Sequence, residues 1–120
     1  MATYSKVLLS GSSQGQPILV AATSSPGTTI HSTGTSSSII DNVTLYAHNT
    51  DTTARKLTIE LGGTGTANTI EVTVPAESGL MLVVPQLPLT GTGVAAKSVA
   101  AFCASTNVVA VSGMVDRITP

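Results

Sequence analysis

Apolar and polar residues alternate with a period of two along most of this chain, and no window carries a sustained helical stripe bounded by caps. In DNVTLYAHN, Val43, Leu45 and Ala47 point one way and Thr44, Tyr46 and His48 the other. RKLTIEL sets Leu57, Ile59 and Leu61 against Lys56, Thr58 and Glu60, and NTIEVTV sets Ile70, Val72 and Val74 against Thr69, Glu71 and Thr73. Successive side chains of a strand leave on opposite faces, so each stretch predicts a half-buried strand of an antiparallel sheet, its other face on solvent or a partner. The clusters NTDTT, GGTGTAN and PAESG between these stretches read as three hairpin-like links in a row, hence a meander or a Greek key. LMLVV is apolar on both faces, which predicts a strand through the middle of a sheet or through an interface. KSVAAFCA and NVVAVSGMVDRI, turned by STN, add two strands, although the alanines of the first also suit a short helix. KVLLS, QPILVAAT and GTTIH add up to three at the front, followed by an exposed loop at STGTSSS. About eight short strands in one domain predict an all-β fold, a single antiparallel β-sandwich that is jelly-roll-like. Residues 1–15 read as an N-terminal strand or arm with a glycine-containing link, and residues 16–120 as the sandwich.

Composition adds the character of the surface. The 120 residues give room for one domain, whose core is only moderately stabilising by itself. That core has to be aliphatic, because hydrophobic residues are 42% of the chain but aromatic ones only 2%. Charged residues are 9%, against roughly 25% in an ordinary soluble domain. A surface so poor in charge suits a subunit in lasting contact with neighbours. Five Lys and Arg against six Asp and Glu leave no basic cluster to neutralise phosphates, so nucleic acid is not an expected partner. Nor is a membrane, since no stretch approaches the roughly 18 apolar residues of a spanning helix. MATYSKVLLS carries too short an apolar run for a signal peptide, so synthesis in a cytoplasm is expected. Cys103 is alone, and no disulfide within the chain is possible.

One short stretch tests whether the chain is an enzyme. GSSQG fits the G-x-S-x-G signature of a hydrolase nucleophile elbow, with Ser13 as the nucleophile. An elbow needs a helix directly after its strained turn, to lift the hydroxyl and complete the oxyanion hole. Here QPILV follows, and Pro17 with an apolar run continues as strand, so a turn is the expected reading. His31 and His48 with Asp41 or Asp51 offer too few convergent groups for a metal or a base and read as ordinary surface or partly packed residues. Gly62, Gly63 and Gly65 lie between two strands without GK[ST], as in a hairpin loop rather than a phosphate cradle. Cys103 has no basic neighbour and reads as a small buried side chain. Asn42-Val43-Thr44 matches a glycosylation acceptor but sits inside a predicted strand. Arg55, Lys56 and Arg117 with Asp116 read as solvated strand faces, with intersubunit ion pairs as the alternative. A sugar platform has only Tyr4 and Tyr46 to draw on. No catalytic, cofactor-binding or metal-binding residue is therefore assigned.

Four stretches in order, GQPILVAATSSPGTTIH, DNVTLYAHNTDTTARKLTIELGGT, IEVTVPAESGLMLVVPQLPL and NVVAVSGMVDRI, resemble a group of small virion structural proteins of tailed bacteriophages. The resemblance covers nearly the entire chain. It implies a non-enzymatic component of a phage particle with no cofactor, in a head decoration, neck, tail or fibre role. Small size, few charges and a strand apolar on both faces favour a decoration (cement) protein on the head surface of the virion, synthesised in the host cytoplasm. Its partners would be the major capsid protein and further copies of itself, a trimer favoured. Tyr4, Val7, Leu8 and Leu9 are candidate subunit contacts, in a segment able to add as a strand to a neighbour's sheet edge. Met81, Val83 and Arg117 complete the candidate contact set.

Overall fold

The alternating stretches fold as nine strands: β1 (Thr3–Val7), β2 (Ile18–Leu19), β3 (Thr28–Ser32), β4 (Ile40–Asn49), β5 (Arg55–Leu61), β6 (Thr69–Val74), β7 (Met81–Leu89), β8 (Ser98–Cys103) and β9 (Val109–Thr119). The structure is a computed structural model that describes residues 2–120, so Met1 of the expected N-terminal segment lies outside the described residues. The larger sheet runs β1-β9-β4-β7, with β2 also on β9, and the smaller runs β3-β8-β5-β6. All pairings are antiparallel. β1 lies opposite residues 115–119 and β2 opposite residues 110–111 of the same strand, so the two act as one interrupted strand. Counted so, eight strands form two four-stranded sheets whose connections pass repeatedly from one sheet to the other, which is a jelly roll.

That alternation corrects the reading of the links. Only GGTGTAN, between β5 and β6, is a hairpin within one sheet; NTDTT carries β4 across to β5, and PAESG carries β6 across to β7. The topology is therefore Greek-key and not a meander. KSVAAFCA is a strand, paired on one side with β3 and on the other with β5, with Val99, Ala101 and Cys103 buried. The STGTSSS loop is largely open, but Thr33 is buried, and its hydroxyl accepts the Lys97 N–H at 2.9 Å.

The facing sides of the sheets close an aliphatic core around Val43, Leu45, Leu57, Ile59, Val99 and Val111, all fully buried. Interlocking branched side chains fill this space without aromatic rings, at roughly 1.5–3 kcal/mol per fully buried residue.

β7 departs furthest from expectation. It is an edge strand of the larger sheet and not a central one. Its register against β4 slips twice: Val43 and Leu45 face Leu87 and Val84, then Leu45 and Tyr46 face Val84 and Leu82. Each slip inserts an extra residue into β7, and each such bulge reverses which face the following side chains take. Met81, Val84, Leu87 and Leu89 therefore all pack toward the core, while Leu82 is 52% exposed. LMLVV is apolar throughout because the phase of the strand shifts within it, not because both of its faces are covered.

The GSSQG stretch belongs to a second, larger irregularity. Residues 8–17 bulge out between β1 and β2, opposite only residues 112–114 of β9. This insert reaches over to the edge of the smaller sheet, where the Gly11 N–H bonds the Ile30 carbonyl at 2.9 Å. A side chain at Gly11 would collide with the carbonyls of Thr29 and Ile30, so glycine is required for the approach. Within the described residues the first strand is thus folded onto its own domain. Leu9 is 2% exposed in the core cluster, and its side chain has no surface to offer a neighbour, a correction to its place among the candidate contacts.

Candidate functional site

The sandwich has two outward faces, and their chemistry differs. On the smaller sheet the outward side chains include Thr29, Ser98, Lys56, Thr58, Glu60 and Thr73. Thr58 and Glu60 point away from the core as their alternation requires, yet they are 2% and 4% exposed. The β2–β3 link folds over Glu60: Ser25 donates its hydroxyl to Glu60 Oε2 at 2.6 Å, and the Gly27 N–H donates to Oε1 at 2.8 Å. Part of this face is thus already covered by the chain itself, and what remains is largely hydroxyl-bearing and polar, with Ala100 and Phe102 as its half-buried apolar members.

The outward face of the larger sheet is apolar at both ends. The register sets Leu19, Ala110 and His48 in one row and Ser112, Tyr46 and Leu82 in the next, toward one end of the sandwich. Toward the other end Tyr4, Ile118 and Ile40 form a further row. Between them runs a polar belt of Lys6, Asp116, Asn42 and Gln86. Gln86 donates to Asp116 Oδ2 at 3.2 Å, the Lys6 ammonium lies 3.7 Å from Oδ1, and Asn42 donates to the Asp116 carbonyl at 3.3 Å. These residues and Tyr4 line a shallow depression of about 340 Å³. Tyr4 is 75% exposed, and Leu19 and Leu82 about half, so large apolar groups meet solvent here, while Thr44 and Ala110 on the same face are buried.

The inner side of the Tyr4 end holds a buried charged cluster. His31 on β3 and Asp41 on β4 are each 1% exposed, with His31 Nε2 2.9 Å from Asp41 Oδ2. Arg117 on β9 grips the same carboxylate with two bonds, Nε to Oδ1 at 2.7 Å and a terminal nitrogen to Oδ2 at 3.0 Å. The other ring nitrogen of His31, Nδ1, accepts the Ser10 N–H at 3.0 Å. An acceptor at Nδ1 fixes the proton on Nε2, so the ring is the neutral tautomer that donates to Asp41. Burial pushes the Asp41 carboxyl upward, but hydrogen bonds from Arg117 and His31 outweigh it and hold the group below its ordinary value of 3.8. Arg117 is correspondingly raised by its bonds to Asp41.

An Asp–His pair invites comparison with a catalytic triad. In a triad the second imidazole nitrogen faces the nucleophilic hydroxyl. Here a main-chain amide occupies that nitrogen, and the Ser10 hydroxyl instead accepts the Ser32 N–H at 2.7 Å. Ser13 is exposed in a tight turn, where its carbonyl accepts the Gln16 N–H and its neighbour Ser12 donates its hydroxyl to the Leu9 carbonyl. The pair ties three strands and the insert together and presents no free nitrogen to a substrate.

Several expected positions are now placed. Tyr4 and Leu8 are exposed, at 75% and 56%, while Val7, Met81 and Val83 are half-buried against the core of their own chain. Arg117 is not paired with Asp116 on a solvated face but with Asp41 beneath the sheet. His31 is fully buried rather than at the surface, and Cys103 is buried as expected. Leu19 and Leu82 were not singled out by sequence, because the bulges that turn Leu82 outward leave no mark in the apolar run itself. No family model, curated protein or solved structure matches this chain. Among the described residues no helix is long and apolar enough to cross a membrane, and no group of three or more His, Cys, Asp or Glu is placed to hold a metal.

Proposed function

We propose that this chain is a non-enzymatic structural subunit of a bacteriophage virion, a capsid decoration (cement) protein. In this reading it lies on the outer surface of the major capsid lattice and stabilises the head as a homo-oligomer, a trimer favoured. The observation that carries the reading is the contrast between the two outward faces. One is largely polar, with Phe102 half-buried in it, and is partly covered by its own loop; the other exposes Tyr4, Leu19 and Leu82 around a small polar belt. Exposed apolar side chains on such a face gain from burial against another subunit, and modest contacts repeated over a closed shell add up. The sequence resemblance to phage virion proteins supports the same class, and a neck, tail or fibre location is its nearest variant. A sugar-binding adhesion module is the second reading, favoured by the exposed Tyr4 ring beside the Lys6, Asn42, Gln86 and Asp116 depression.

Heads lacking the protein, mixed with purified chain and sedimented, test the proposal. Binding at every repeat of the shell is expected, and a Leu19→Ser/Leu82→Ser variant that stays folded should bind at least about tenfold more weakly, as loss of two buried leucines requires. Thr73→Asp, on the opposite face, should bind normally. Attachment only at the tail or neck moves the protein there, and glycan-array binding abolished by Tyr4→Ala replaces the structural reading by the adhesion one. Undiminished head binding by the double variant sinks the assignment of the docking face.

A further inference from the structure

We infer that His31 is a proton-operated latch that holds the residue 8–17 insert against the edge of the smaller sheet. The insert interrupts the first jelly-roll strand and is tied to β3 by three bonds. The Gly11 N–H bonds the Ile30 carbonyl, the Ser32 N–H bonds the Ser10 hydroxyl, and the Ser10 N–H bonds His31 Nδ1. Of these, only the last has an acceptor that a proton can abolish. A proton taken from solvent at the Nδ1 lone pair turns that nitrogen into a donor facing the Ser10 donor, and the bond changes from attractive to repulsive.

The surroundings make this a one-sided switch. From β4, Asp41 meets the opposite nitrogen, Nε2; from β9, Arg117 binds the far side of the same carboxylate; β8, the neighbouring strand, pairs Val99 with His31 and brings no charge. Nε2–H remains a donor to Asp41 in both protonation states, so the ring stays anchored while its Nδ1 side alone changes role. Arg117 keeps Asp41 ionised, so protonating the ring does not discharge its anchor. What loosens is the Ser10–Gly11 part of the insert, with Leu9 still held in the core: the Ser10 amide loses its acceptor, and the Gly11 and Ser32 bonds on either side of it lose the restraint that aligns them. The residues loosened lie in the link from β1 to β2, while β1 keeps its pairing with β9.

Nuclear magnetic resonance of the wild-type chain tests the latch without relying on a variant that fails to fold. At about pH 8 the His31 ring should carry its proton on Nε2 only. As pH is lowered and the ring takes up its second proton, the Ser10, Gly11 and Ser32 amides should lose protection from hydrogen exchange together, after correction for the intrinsic rate. The loss should be about tenfold, as expected for one hydrogen bond turned unfavourable, and should follow the His31 titration, while the Val43 amide in the core stays protected. The chain has two histidines, and His48→Gln assigns the signals. His31→Gln, whose amide can still meet Asp41, should abolish the pH dependence if it folds. A proton on Nδ1 at about pH 8 overturns the latch, as does insert protection that persists after the ring is protonated. A ring that stays neutral until the whole domain unfolds overturns it equally.

Discussion

The inward column of β4 reads Asp41, Val43, Leu45, Ala47, Asn49, all nearly or fully buried, so each end of the hydrophobic core is closed by a polar side chain on the same strand. The two closures are built differently. Asp41 meets side chains, a neutral imidazole and a guanidinium from two other strands. Asn49 meets main chain: its amide donates to the carbonyls of Thr53 at 2.9 Å and Val74 at 3.2 Å, and its oxygen accepts the Asp51 N–H at 2.9 Å. One end ties strands together through charge, and the other pins the NTDTT crossover through neutral bonds. A buried charge depends on every partner, whereas a neutral amide leaves smaller debts when lost.

The largest effect should follow Asp41→Ala. It leaves Arg117 without its counter-charge and His31 with a donor and no acceptor, and should lower stability by about 3 kcal/mol or more in denaturant unfolding. In a small domain that is a large share of the total. The same carboxyl makes the wild type acid-sensitive. Its folded value lies below the ordinary 3.8, so its stabilisation is complete above that value and disappears as pH falls through the lower folded value. Asp41→Ala should therefore flatten the acid limb of the stability curve, and an unchanged limb would mean that the cluster contributes nothing through its charge.

Asn49→Ala comes next. It leaves two carbonyls and one N–H near the core without their partner, and a loss of roughly 1–3 kcal/mol is expected. Unlike Asp41→Ala, it should leave the acid limb unaltered, since Asn carries no proton to release. Equal losses from the two substitutions would erase the distinction between the ends.

Both closures were half-legible in the sequence. The period-2 column through Val43, Leu45 and Ala47 reaches Asp41 two residues earlier and Asn49 two residues later, so alternation alone marks both as inward polar residues. The same step from Val115 reaches Arg117. Which groups satisfy them was not legible: Ser10 and His31 are 21 residues apart, and Asp41 and Arg117 are 76 apart. Only the closed topology brings those pairs together. The jelly roll followed from strand number and spacing, but β7 did not, because bulges are set by how two strands fit and not by the letters of one. The outward exposure of Leu82, on which the docking face depends, is a consequence of those bulges and was hidden for the same reason.

The smallest effect should come from the charge beside the neutral end. Asp51 holds Arg55 through Nε at 2.8 Å and a second guanidinium nitrogen at 2.6 Å, and it accepts the Thr52 N–H at 2.7 Å. The Arg55 and Thr52 bonds lower its carboxyl from the usual value, so its contribution also fades in acid. It differs from Asp41 in lying within reach of solvent. Asp51→Asn keeps the acceptor for Thr52 and removes only the charge, so the melting temperature should move least of the three substitutions. Salt makes the comparison sharper: it should erode the Asp51–Arg55 contribution in the wild type, yet leave the penalty of Asp41→Ala almost unchanged, because mobile ions do not reach a carboxylate sealed beneath the sheet. If salt reduces the Asp41 penalty as strongly as the Asp51 one, the charged end of the core is open to water, and the contrast between a sealed and an exposed ion pair fails.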